Sequence, residues 1–165
     1  MSKSVLKLNF DDERGNIAII DIGSNSVRLM IYPNFGKYPI PLFNERVNCK
    51  LGEKLFQTGK LSIRSISKAL KALQRFSIII KNMEVNHIFP IATAAVRNSK
   101  NNKEFLLPAE KILSTKIRIL SKDEEAELAA LGLMSNMPIK NGLVVDLGGG
   151  SVEFILIIKG KIKNS

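Results

Sequence analysis

The sequence predicts an α/β protein with a mixed sheet and helices on both faces. Three observations carry that expectation. Two apolar strand runs, Ile17 to Ile22 and Val27 to Tyr32, flank the turn Gly23-Ser24-Asn25-Ser26. A long helical period follows, with Ile63, Ile66, Leu70, Leu73, Phe76 and Ile80 at three- and four-residue steps. Short strands and helices then alternate to the end of the chain. Antiparallel strands feeding strand–helix–strand units demand a sheet of mixed direction.

Each element has its own local reason. The Gly/Ser/Asn turn between two apolar runs reads as a β-hairpin. Pro33, Gly36, Pro39 and Pro41 mark loop or edge structure, and a third strand is expected over Phe43 to Val47. Ser62 to Met83 is the clearest helix, because Lys and Arg fill the positions between its apolar steps. His87 to Ala92 reads as a strand. Asn101 to Leu113 reads as a weaker helix interrupted by Pro108, which is tolerated in a first turn. Ile117 to Leu120 is a further strand. Ser121 or Asp123 caps a helix running through Ala126, Leu128, Leu131 and Met134, with acids in its first turn and Pro138 beyond its end. Gly142 to Leu147 and Val152 to Ile158 form a second hairpin around Gly148-Gly149-Gly150-Ser151, and Lys159-Gly160-Lys161 starts a return strand. The run Phe154-Ile155-Leu156-Ile157-Ile158 has little chain after it, so an uncovered apolar strand and a homo-oligomer are expected. The chain reads as a fragment or as one part of an assembly.

Composition narrows the function classes. In 165 residues, 45% are hydrophobic and 24% charged, ordinary values for a globular protein. No apolar run spans a bilayer, and residues 1–16 form a polar leader without the apolar core of a signal peptide. The single Cys49 excludes an internal disulfide and fits a cytoplasmic setting. Cys49 and His87, one of each, do not make a zinc site and are read as structural. Twenty-five Lys and Arg against fifteen Asp and Glu leave a net charge of +10, which favours a polyanionic partner. No basic helix or aromatic stacking motif accompanies that charge, so no nucleic-acid and no membrane partner is expected.

Two segments resemble one another: Asp21-Ile22-Gly23-Ser24-Asn25-Ser26 and Asp146-Leu147-Gly148-Gly149-Gly150-Ser151. In each, a strand ending in Asp runs into a Gly/Ser turn. Gly and Ser let backbone N–H groups approach phosphate oxygens, and the hydroxyls add donors. A strand-end Asp suits Mg²⁺, which prefers carboxylate and water oxygens. One such turn alone is more often a plain hairpin. Two copies point to the actin-like (ribonuclease H-like) architecture, in which paired hairpins hold phosphate. At this level sugar kinases and chaperone ATPases remain open.

Five blocks narrow the choice. Asp21 to Leu29, Asn44-Glu45-Arg46-Val47 leading to Leu51-Gly52, Ala92 to Asn98, Ile119 to Ala126 and Asp146 to Glu153 resemble, in order, the exopolyphosphatase / guanosine pentaphosphate phosphatase family. The resemblance implies an actin-like domain over 17–138 and the start of a second over 139–165. It implies Mg²⁺-dependent hydrolysis that releases orthophosphate from inorganic polyphosphate or guanosine pentaphosphate. By resemblance, Asp21 and Asp146 bind Mg²⁺. Gly23, Ser24, Asn25, Ser26, Arg97, Gly148, Gly149, Gly150 and Ser151 bind phosphate. Glu125 is the general base and Glu153 a second catalytic carboxylate. Water is a poor nucleophile, so a carboxylate must orient it and take its proton.

Each role has a plain rival. Glu124 and Glu125 open a helix, where acids stabilise anyway. Arg97 reads equally as a surface cation and Glu153 as an exposed strand residue. Arg28 and Arg46 stand between phosphate contact and support of the fold. Two departures occur: Glu127 replaces the family's usual Arg after Glu-Glu-Ala, and Lys122 replaces a common Gly. A third is length, because the family's second domain continues well past Ser165. The alternatives are a remnant that binds phosphorylated ligands without turnover, an actin-like ATPase or kinase and, least favoured, a basic nucleic-acid binder with steeply salt-sensitive affinity.

Overall fold

A computed structural model describes residues 15–33 and 40–164. Residues 1–14 of the polar leader and the turn expected around Gly36 and Pro39 lie outside the described residues, whereas Asn16, placed in the leader, opens the first strand. Strands β1 (Asn16–Ile22) and β2 (Ser26–Pro33) form the first hairpin, and β3 (Phe43–Asn48) pairs antiparallel with β2. Helices α1 (Leu55–Thr58) and α2 (Ile63–Asn82) lead to β4 (Val85–Ala92), which lies parallel to β1. After α3 (Ala94–Asn98) and α4 (Asn102–Leu113), the short β5 (Arg118–Ile119) joins β4, also in parallel. The five-stranded sheet therefore runs β3-β2-β1-β4-β5. Helix α5 (Lys122–Asn136) connects it to a three-stranded sheet, β6 (Gly142–Leu147), β7 (Val152–Ile158) and β8 (Lys161–Asn164), in that order.

Strand alternation decides which side of the first sheet becomes core. Ala18, Ile20 and Ile22 lie opposite Ile31, Leu29 and Val27, and all six are fully buried. Helices α2 and α4 cover that face with Leu73, Phe76, Phe105 and Ala109. Ser62 caps α2, its side-chain oxygen accepting from the Ser65 N–H at 3.1 Å. The other face presents Asp21 and Ile91, which are register partners, and α5 stands across a cleft from them. The expected mixed sheet with helices on its faces is thus present.

Several local expectations change. Of the expected α2 stripe, Ile66, Leu73, Phe76 and Ile80 are buried together with Ser65, Ala69 and Ala72, whereas Ile63 at the helix start is 83% exposed. Pro108 neither breaks α4 nor sits in its first turn. The helix continues through it, with Phe105, Ala109 and Leu113 buried on one side to hold it. Helices α1 and α3 were not expected, since four and five residues are too few to display a period. Cys49 is buried, and its Sγ donates to the Val47 carbonyl, in keeping with a structural role.

Helix α5 works on two sides. Ala126 and Ala130 pack on Ile155, with Val144 and Ile162 completing a second small core. The outer face of the small sheet is apolar and open. Leu143, Val145, Leu147, Val152, Phe154, Leu156 and Ile158 are between 38% and 78% exposed. The apolar strand run is therefore uncovered, as expected, but on one face only: Ile155 and Ile157 are fully buried.

Candidate active site

The site forms where strand ends converge. β1, β4 and β5 are parallel, so their carboxyl ends open on the same edge, the usual ligand position in such sheets. A cleft of about 600 Å³ lies there, between that edge, the first turn of α5 and the β6–β7 turn.

The two similar segments fold alike. Gly23 N–H donates to the Ser26 carbonyl and Gly148 N–H to the Ser151 carbonyl, both at 2.9 Å. The hairpins also share a register, with Ile22 opposite Val27 and Leu147 opposite Val152. Their tips meet. A side chain built on Gly149 would run into the Asn25 amide, and one on Gly150 into the Ser24 hydroxyl. The segment after β3 fixes the first turn: Cys49 and Lys50 N–H groups donate to the Asn25 carbonyl, and the Gly52 N–H donates to the Ser24 carbonyl.

Of the residues singled out in sequence, Asp21, Gly23, Ser24, Asn25, Ser26, Glu125, Asp146, Gly148, Gly149, Gly150 and Ser151 all line this cleft. Glu153 and Arg97 do not. Glu153 is buried on the inner face of β7, directly opposite Asp146. Arg97 stands behind Glu125, and its Nη1 donates to Glu125 Oε2 at 2.7 Å and to the Leu120 carbonyl at 2.8 Å. The neighbouring acids of α5 divide the work. Glu124 closes a capping box with Ser121 and pairs with Arg118, whereas Glu125 turns to the cleft.

Arg46, weighed in the sequence between phosphate contact and fold support, lines the site, as do residues given no role there: Ile91, Thr93, Leu120, Leu128, Ala129 and Leu147. Leu128 and Ala129 follow Glu125 by three and four residues, so helical spacing alone places them on its face. Ile91 partners Asp21 across the parallel register. Arg28 and Arg46 oppose one another on β2 and β3, in the same cross-strand row as Asp21. Their Nε atoms donate to Asn44 Oδ1 and Ser26 Oγ. Like charges directly opposite cost stability, so this pair suits an anion nearby.

Burial is the leading cause that lifts the Asp21 carboxyl above its ordinary value. The Glu125 charge follows, and Asp146 adds a little, while Arg28 and Arg46 oppose them. A carboxyl that holds its proton more tightly folded than unfolded costs stability. That cost is absent below the ordinary carboxylate range and grows as pH rises through the raised value. Asp21→Asn in metal-free protein is therefore expected to raise the unfolding midpoint by a few degrees at neutral pH. The gain should shrink toward about pH 4, near the unfolded Asp value. Thermal melts across that range check it.

The same crowding tests the fit of Mg²⁺. Among the described residues no group of three or more His, Cys, Asp or Glu gathers at metal-binding distance. Mg²⁺ does not need one, since it takes one or two carboxylates and fills its shell with water and phosphate oxygens. Asp21 and Asp146, both on the cleft wall and close enough for their charges to interact, fit that requirement.

Among proteins of known sequence, exopolyphosphatase 1 of Mycobacterium tuberculosis is 26% identical over 140 residues, covering 83% of this chain and 41% of its own. Solved structures agree. The Aquifex aeolicus Ppx/GppA family member matches with a TM-score of 0.78 at 28% identity, over 91% of this chain and 49% of that one. A Cytophaga hutchinsonii exopolyphosphatase matches with a TM-score of 0.83 at 30% identity, over 89% and 48%. The chain thus spans about half the length of these relatives, and its actin-like fold is theirs. The family model for Ppx/GppA phosphatases matches residues 15–165, and the chain belongs to that family.

Proposed function

We propose that this chain carries the hydrolytic cleft of a Mg²⁺-dependent phosphoanhydride hydrolase that releases orthophosphate from the end of inorganic polyphosphate. Guanosine pentaphosphate is the related substrate. One observation carries the reading: two equivalent Gly/Ser turns meet at their tips beside a cleft that Glu125 lines. The names of the relatives favour the same chemistry.

The chain's own groups divide the work. Backbone N–H groups of the two turns, with the Ser24 and Ser151 hydroxyls, donate to phosphate oxygens. Arg46 and Arg28 supply positive charge on the β2–β3 side, where the rest of a phosphate chain would run. Asp21 and Asp146 would hold Mg²⁺, which when bound offsets charge on the phosphoryl oxygens. Glu125 orients a water and accepts its proton as the water oxygen bonds to the terminal phosphorus. The P–O bond to the chain breaks, and the shortened polyphosphate leaves with the electron pair. Glu153 lies opposite Asp146 but outside the cleft lining, so this reading gives it no direct contact with the attacking water.

The test is orthophosphate release from long-chain polyphosphate and from guanosine pentaphosphate, with Mg²⁺ and with chelator. Release that needs Mg²⁺ is the expected result. Tight binding of polyphosphate without release would leave a binding module in place of an enzyme.

Self-association belongs to the same reading. Seven exposed apolar side chains lie together on one sheet face, the kind of patch that marks an interaction surface. The protein is expected to associate with rising concentration, and Phe154→Lys to shift it toward monomer in sedimentation runs.

A further inference from the structure

Arg97 was expected to bind phosphate, yet it does not line the cleft. Both hydrogens of its Nη1 are spent, one on Glu125 Oε2 and one on the Leu120 carbonyl. Its side chain is 14% exposed and that of Glu125 16%. The remaining donors, Nε and Nη2, are buried with no acceptor among the described residues, so Arg97 is not a solvated surface cation. Its backbone is held as well, the Arg97 N–H donating to the Thr93 carbonyl in α3. Leu120, whose carbonyl it also grips, immediately precedes the Ser121 cap of α5. One guanidinium thus ties the end of β5, the start of α5 and the carboxylate of Glu125 into a single unit.

We propose that Arg97 is a positioning residue, which acts on phosphate only through Glu125. By fixing Oε2 it leaves Oε1 as the oxygen that faces the attacking water. A charged two-point hold of this kind, largely shielded from solvent, sets the carboxylate's orientation far better than a single flexible contact. The inference rests on the reading of Glu125 as general base, and the experiment separates the two.

The experiment measures kcat and KM for phosphate release, and tripolyphosphate affinity by calorimetry, on the full chain. The variants are Arg97→Met, Arg97→Lys, Glu125→Gln and the double variant Arg97→Met/Glu125→Gln. The expected result for Arg97→Met is a fall in kcat of about tenfold or more, with KM and tripolyphosphate affinity within about twofold. The double variant should be no slower than Glu125→Gln alone, because residues acting as one unit do not add. Added guanidinium should restore part of the activity of Arg97→Met. Arg97→Lys, which keeps a charge in the same place, guards against simple loss of fold and should retain more activity than Arg97→Met.

An Arg97→Met variant with normal kcat but affinity weakened tenfold would overturn the proposal and return Arg97 to the phosphate ligands. Losses that add in the double variant would also overturn it. Full activity in Glu125→Gln would instead remove the general base, whatever Arg97 does. If the unaltered chain releases no phosphate, tripolyphosphate affinity decides: unchanged in Arg97→Met it supports the proposal, and weakened it overturns it.

Discussion

Glu125→Gln is expected to lower phosphate release by about 10²- to 10⁴-fold, the range of a lost general base. That is roughly 3–5 kcal/mol of barrier. The amide keeps the shape of the carboxylate and still offers an oxygen to Arg97 Nη1, so the α5 start should stay in place. It can no longer take a proton from water. Polyphosphate affinity should change little, since the turns, Arg46 and the two Asp residues are untouched. Glu124→Gln is the control. Glu124 is spent on the capping box and on Arg118, on the exposed side of the helix, and should alter turnover by less than about twofold. Steady-state phosphate release measured for both variants separates adjacent residues of the same type. Full turnover in Glu125→Gln would sink the proposed chemistry.

That contrast shows where the sequence was legible and where it was not. The hairpins could be read because two short apolar runs, Ile17 to Ile22 and Val27 to Tyr32, are bounded by a Gly/Ser/Asn turn, whereas which side chains alternate into the core shows only in the fold. The twin Asp–Gly turns were legible as a pair, and the shared Gly N–H to Ser carbonyl bond is the geometric form of that likeness. The two glutamates were harder. Ser121-Lys122-Asp123-Glu124 has the spacing of a capping box, so residue pattern alone assigns Glu124 a local role. It does not say where Glu125 points; the turn of the helix and the Arg97 contact do. The Arg97 contact was not readable because α3 is a five-residue helix without a period, and the side chain reaches 28 residues along the chain to Glu125. One position of the α2 stripe departed for another reason. Ile63 has the right spacing, but it opens the helix, one residue past the Ser62 cap, and its side chain stands 83% exposed.

Gly150→Val is expected to cost on the order of 10² in turnover, the scale of a displacement of about 1 Å in a catalytic constellation. The unfolding midpoint should change little, because Gly150 is exposed and lies outside both buried clusters. The cause is space rather than backbone strain. A first side-chain carbon at Gly150 would strike the Ser24 hydroxyl, with the Ala94 methyl behind it at 3.6 Å. Ser24 has little room to turn aside: it is 5% exposed and its carbonyl is tied to the Gly52 N–H. The collision must therefore be relieved by moving one turn away from the other. That shifts the donors on both sides of the phosphate path relative to Glu125. Gly149→Ala makes the comparison informative. It meets only the side chain of Asn25, which is exposed and able to swing outward, so its loss should be several times smaller. Equal and severe losses at both positions would mean that backbone freedom, not contact between the tips, is what these glycines provide. Full activity in Gly150→Val would mean that the turns work apart, and the gripping of phosphate from two sides would have to be abandoned.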